Sequence, residues 1–304
     1  MTAAVYLLAY GVLMTWLAPP LLSRLTRGGL NPQLGVAAWL TAIVGVLAAW
    51  AVAISLIVVN GLRGLPDSPV LVVCLELLGI PEQVATPGLP GLLLVIAGGV
   101  VLTSAVSVKV GRAVLRSRDR SHDHAHAARI VGLPTERPDV FLLTAERPAA
   151  YCVPGRPNAI VVTTAAVQRL TGPQLNAVLA HEDAHIAGRH HQLLMFLRAL
   201  AATLPHLPLF PRGAAAVGEL LEMCADDTAA RRHGSRALVA GMLELAGPVQ
   251  PAGLAVGATA IAVRANRLLV PAGRGSVRRH RFLAWATIAV TAGAPVVINL
   301  ICHH

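Results

Sequence analysis

Residues 34–59 run for twenty-six positions without one charged side chain. No other feature constrains the fold as much. A hydrocarbon core about 30 Å thick is crossed by about 20 apolar residues in a helix, and only a helix or a closed barrel satisfies its own backbone polar groups there. Three further stretches reach that length: Ala3–Leu22, Leu89–Val108 and Phe282–Cys302. Composition agrees: 55% of the 304 residues are hydrophobic and 13% are charged, about half the charge of an ordinary soluble domain. The first stretch opens Met1-Thr2-Ala3-Ala4. It lacks the positive flank of a cleaved signal peptide, so it reads as a retained span.

The basic residues orient these spans. The net charge is +10, and Lys109 is the only lysine. Arg24 and Arg27 follow the first span. Lys109, Arg112, Arg116, Arg118 and Arg120 follow the third, and Arg278, Arg279 and Arg281 precede the fourth. The loop from Asn60 to Gly88 holds Arg63 against Asp67, Glu76 and Glu82. Positive charge stays on the cytoplasmic side, facing anionic lipid. Both termini are thus expected outside the cell membrane, with residues 109–281 in the cytoplasm. No basic stripe interleaves with aromatics, so no direct nucleic-acid partner is expected. The cysteines, Cys74, Cys152, Cys224 and Cys302, form no CxxC pair. Cys74 and Cys302 share the outer face in this topology, and whether they pair stays open.

The expected organisation is a membrane region over 1–111, a cytoplasmic domain over 112–281 and a last span over 282–304. The domain opens with short strand-like runs, Val140–Leu143, Ala150–Val153 and Ala159–Val162, separated by turns such as Glu146-Arg147-Pro148 and Pro154-Gly155. His122-Asp123-His124-Ala125-His126 reads as a solvated linker. Residues 193–210 are apolar except for Arg198 and His206, and Pro205 and Pro208 interrupt them. A full span there would separate the two halves of the site described next. A re-entrant or interfacial segment keeps them together.

Thr171-Gly172-Pro173-Gln174 starts a helix: Thr171 caps, Pro173 sits early and Gln174 completes a capping box. That helix carries His181-Glu182-Asp183-Ala184-His185. Histidines four apart share one face, so both imidazoles reach one Zn²⁺. Glu182, rotated about 100° from His181, is placed as the catalytic base for a water that the zinc activates. A catalytic zinc needs a third protein ligand and an open position. Glu222 supplies that ligand, with Glu219 as the rival. Asp226 lies one turn on from Glu222 and can take the spare N–H of a ligand histidine. Cys224 points away from the metal, and Asp227 faces solvent or an arginine such as Arg231. His190, five residues past His185, falls off the ligand face. His206 can contact substrate or be structural. His233, Arg264 and Arg267 are candidate donors to a tetrahedral oxyanion. For the two arginines, anchoring the helix to Asp226 or Asp227 is an equal alternative.

Asn158-Ala159-Ile160-Val161-Val162-Thr163-Thr164, then Leu175-Asn176-Ala177-Val178-Leu179-Ala180-His181-Glu182, resemble the gluzincin membrane peptidases. Two branches are similar: the HtpX and CAAX-prenyl-protease branch, and the BlaR/MecR sensor-transducer branch. Both carry a Glu-x-x-x-Asp element, here Glu222 to Asp226. Val263-Arg264-Ala265-Asn266-Arg267-Leu268 resembles an arginine-bearing element of the BlaR/MecR branch, and the spans flanking a cytoplasmic domain suit that branch. Its members carry a penicillin-binding sensor after the last span. This sequence ends at His304, two residues past its fourth span, so the expectation is the transducer peptidase without the sensor. The implied fold is mainly α: four transmembrane helices with a cytoplasmic α+β gluzincin-type zinc peptidase domain. The implied activity is zinc endopeptidase cleavage of a protein or peptide, often a transcriptional repressor. The alternatives are HtpX-like quality control of membrane proteins, or a non-catalytic signalling protein with a structural zinc. The strand near Ile160–Val162 is expected as an edge that binds substrate backbone.

Overall fold

A computed structural model describes residues 2–62, 89–155, 157–247, 255–270 and 272–303. It is mostly helical with one small sheet. Among the described residues, four helices hold segments long and apolar enough to cross a membrane: Ala3–Thr26, Pro32–Val59, Ala97–Val131 and Gly275–Ile298. They lie in α1 (Thr2–Thr26), α2 (Pro32–Leu62), α3 (Leu89–Val131) and α10 (Arg274–His303). The loop charges Arg63, Asp67, Glu76 and Glu82, Cys74 and the Cys302 side chain lie outside the described residues.

Helices α1 and α2 form a hairpin, and α10 packs on both. Tyr10 of α1 donates its hydroxyl to the Thr291 carbonyl of α10 at 2.8 Å. The hairpin turn needs Gly29, whose φ is +56° and whose Cβ would overlap Met223 Sδ. Helix α3 runs 43 residues, well past the span expected at Leu89–Val108. The tract His122–His126, read as a linker, is part of it. Residues 112–131 contain no glycine or proline, so nothing in the chain stops the helix before Gly132. The composition boundaries at 111 and 281 both fall inside continuous helices.

Residues 193–210 divide between α6 (His190–Thr203) and the start of α7 (Leu209–His233), with both prolines in the turn. Leu197, Leu200, Leu209 and Phe210 join Trp39, Ile43 and Val46 of α2 in one buried cluster. The Phe210 ring lies 6.4 Å from that of Trp50, so the turn sits beside the apolar middle of α2. Small residues allow this approach: a Cβ on Gly213 would lie 2.9 Å from Ile43 Cδ1, and one on Gly35 3.0 Å from Leu220 Cδ1.

The sheet has the order β1-β2-β4-β3, with β1 (Leu133–Pro134), β2 (Val140–Leu143), β3 (Ala150–Val153) and β4 (Ala159–Thr163). This overturns the expectation of a free edge at Ile160–Val162. Strand β4 pairs in parallel with β2 and antiparallel with β3, and all five of its residues are buried. Among the described residues the edge strands are β1 and β3, and β3 is the one that packs against the helix Gly172–Ala187. Thr163 N–H donates to the Ala149 carbonyl, which fixes the alternation along β3. The N–H and C=O groups of Ala150 and Cys152 therefore face outward. Three helices complete the domain: α4 (Thr164–Arg169), α5 (Gly172–Ala187) and α8 (Ser235–Ala246). Helix α9 (Ala255–Leu269) follows.

Candidate active site

Helix α5 starts as its sequence dictates: Thr171 N–H donates to Gln174 Oε1 at 2.8 Å, with Pro173 in the first turn. Ala177 and Ala180 of α5 are buried with Ala229 of α7, so the two backbones approach closely. That contact sets His181 and His185 against Glu222. The two Nε2 atoms lie 3.1 Å apart. Glu222 Oε2 is 3.5 Å from His181 Nε2, and Oε1 is 3.4 Å from His185 Nε2. One ligand atom from each residue falls within 4.8 Å of the others, so the three can hold a metal ion.

The groups behind them fix this face. Asp226, wholly buried, has Oδ1 3.2 Å from His181 Nδ1. The contact is close but not aligned as a formed hydrogen bond, and that Nδ1 has no other partner among the described residues. Arg264 of α9 holds Asp226 through Nε at 2.7 Å and Nη2 at 2.6 Å, and its Nη1 lies 3.0 Å from Glu222. Arg267 donates to Asp227 at 2.7 Å and to the carbonyls of Met223 and Gly29. Asp227 therefore pairs with Arg267 and not Arg231, whose guanidinium goes to Thr228. Glu182 Oε2 accepts the Cys152 N–H of β3 at 2.8 Å. The outer face of α5 is tied to the sheet by Arg137, which bridges Asp139 and Asp183.

Electrostatics follow from burial and these partners. Burial opposes charge on His181, but Asp226 and Glu222 outweigh it and lift its pKa to about 9. Burial pushes the Glu182 carboxyl above its usual range, against the pull of His181 and the Cys152 N–H. A raised pKa makes the carboxylate a stronger proton acceptor. Burial raises Asp226 too, yet the hydrogen bonds from Arg264 and the nearby His181 ring hold it at about 2. Burial lowers His185.

These directions predict opposite pH responses. A histidine whose folded pKa is raised contributes stability that is fully present below its unfolded value, near 6.5, and is lost as pH rises toward 9. The Cys152 and Cys224 thiols, pushed by burial to about 12 and about 11, stay protonated throughout. The melting temperature of metal-free protein should thus fall between pH 6.5 and 9. Metal uptake must displace the His181 proton, so affinity should rise about tenfold per pH unit over the same interval. Calorimetry in two buffers checks this by counting the released proton.

Other residues singled out in the sequence lie elsewhere. Glu219 faces a cavity of about 170 Å³ lined by Ser23, Thr26, Arg27 and Met223. His233 is exposed at the end of α7, and His206 is exposed in the turn before it. His190 stays outside the group that can hold a metal, as its spacing implies, but it touches that group in a way the sequence did not show. Arg189, in the left-handed conformation at φ 51° and ψ 33°, breaks the chain between α5 and α6. His190 thereby turns back toward His185, with the two Nδ1 atoms 3.0 Å apart and the rings edge to face. A helix continued from α5 would not do this, so spacing alone carried no signal.

Residues 115–250 match the sequence model of peptidase family M48. The chain is also 31% identical over 132 residues to the plastoglobule-localized metallopeptidase 48 of Arabidopsis thaliana chloroplasts, 41% of this chain and 38% of that protein. It therefore spans well under half the length of this relative. No solved structure matches. The chain thus carries an M48 metallopeptidase domain, and His181, His185 and Glu222 lie within it.

Proposed function

We propose that this protein is a membrane-embedded zinc endopeptidase that cleaves a protein substrate at the cytoplasmic membrane face. The observation that carries the reading is the convergence of His181, His185 and Glu222 beside Glu182. Two imidazole nitrogens and a carboxylate oxygen are the donor set of a catalytic zinc. Tetrahedral bonds of about 2.0–2.1 Å require ligand atoms about 3.3 Å apart, against 3.1, 3.4 and 3.5 Å here. Three protein ligands leave a position open, which a structural site does not. When bound, zinc supplies Lewis acidity toward the scissile carbonyl and lowers the pKa of water toward 7.

The chain's own residues do the rest. An extended substrate adds to the β3 edge through the outward backbone groups of Ala150 and the Cys152 carbonyl. The Cys152 N–H is already given to Glu182. Glu182 takes a proton from the attacking water and delivers it to the leaving nitrogen as the C–N bond breaks. Arg264 and Arg267 are engaged with Asp226, Glu222 and Asp227, which favours anchoring over oxyanion binding. The topology has support as well. Arg267 joins Gly29 of the α1–α2 turn to Met223, next to Glu222. The site thus lies on the side of Arg24 and Arg27, the side that positive charge assigns to the cytoplasm.

Regulatory cleavage of a cytoplasmic protein, such as a transcriptional repressor, is the role that the resemblance to the BlaR/MecR branch favours. Crosslinking a zinc-loaded Glu182→Gln protein in membranes tests it. One enriched cytoplasmic regulator supports that role, and a broad set of damaged membrane proteins supports quality control. A protein with one zinc held by four protein ligands, and no cleavage of any trapped partner, would sink both.

A further inference from the structure

We propose that His190 positions the ligand His185 by accepting its Nδ1–H, as the counterpart of Asp226 behind His181. The inference rests on the zinc reading above and deepens it. Both ligand histidines turn Nε2 toward each other and toward Glu222. Metal binding takes the Nε2 lone pair, so the ring proton must sit on Nδ1, where it needs an acceptor. For His181 the group in reach is Asp226 Oδ1 at 3.2 Å. For His185 the group in reach of Nδ1 among the described residues is His190 Nδ1 at 3.0 Å. As acceptor, His190 carries its own proton on Nε2.

The backbone is built around this contact. Arg189 occupies the left-handed region, unusual for a residue with a side chain, and local strain of this kind gathers at functional sites. Gly188 precedes it, and a Cβ there would overlap the His190 ring. His190 is itself buried. A glycine without side chain, a left-handed arginine and a buried histidine follow one another, and together they aim one imidazole at another. Using a neutral acceptor at one ligand and a carboxylate at the other also limits negative charge in a site that already holds Glu182, Glu222 and Asp226.

The test uses three variants of the full-length protein in detergent: His190→Asn, whose Oδ1 can take the place of Nδ1, His190→Leu, and Gly188→Ala. Zinc affinity is measured by competition with a chromophoric chelator, and ligand geometry by the visible spectrum of the Co²⁺-substituted protein. His190→Leu should weaken zinc about 10–100-fold and alter the Co²⁺ bands, while His190→Asn stays within about threefold of wild type. Gly188→Ala should weaken zinc by displacing the ring, and it carries the test should His190→Leu fail to fold. Wild-type affinity in both His190→Leu and Gly188→Ala overturns the proposal, as does His190→Asn losing as much as His190→Leu. Stoichiometric zinc in wild type with no proteolysis would defeat the peptidase reading and leave this one standing.

Discussion

Glu182→Gln should keep its metal and lower peptide hydrolysis by about a thousandfold or more. Glu182 is not among the three groups that can hold the ion, so affinity for zinc should change little. The amide oxygen of glutamine can still accept the Cys152 N–H that holds the carboxylate at 2.8 Å, so the side chain stays in place. What goes is proton acceptance. General acid–base catalysis is worth about 10²–10⁴ in rate, and in the proposed mechanism one carboxylate serves both the attacking water and the leaving amine. Burial lifts its pKa toward the working range, which strengthens the effect of losing it. Metal analysis beside steady-state cleavage of a trapped substrate measures both quantities. Normal turnover with full zinc would falsify the assignment.

That prediction was legible from five residues, because four-residue spacing on a helix is enough to bring two imidazoles together. The strands were legible for a similar reason: Pro148, Pro154, Gly155 and Pro157 punctuate runs whose ends coincide with β2, β3 and the start of β4. Strand order was not, since a return through parallel pairing buries β4 and exposes β3 without marking either sequence. The length of α3 was not legible because the sequence marked only its apolar span, Leu89–Val108. Charge ends a span, but arginine and alanine propagate a helix beyond it. The contact of His190 with His185 was hidden for a third reason: it depends on a break between two helices, which leaves no periodic trace. Anchoring of Arg264 and Arg267 to Asp226 and Asp227 was one of the two readings the sequence offered for them, and the structure forms both pairs.

The other large effect belongs to Arg264, and it separates anchoring from oxyanion binding. Asp226 is wholly buried and ionised, and Arg264 gives it two hydrogen bonds of 2.6 and 2.7 Å. Arg264→Met removes the partner and leaves the charge. Breaking a buried pair from one side costs roughly 3–5 kcal/mol. In a chain of this size that lowers the melting temperature by about 10 °C. Zinc affinity should fall as well, because the same guanidinium lies 3.0 Å from Glu222. Arg267→Met should be milder, since Asp227 is partly exposed, with 32% of its side chain accessible, and can be rehydrated. Adding Asp226→Asn to Arg264→Met removes the orphaned charge and should restore more than half of the lost stability, a non-additivity expected of groups in direct contact. An oxyanion donor would behave otherwise: Arg264→Met would then keep its melting temperature and its zinc and lose only kcat. Thermal unfolding of the two single variants and the double, each with zinc content measured, decides between these outcomes.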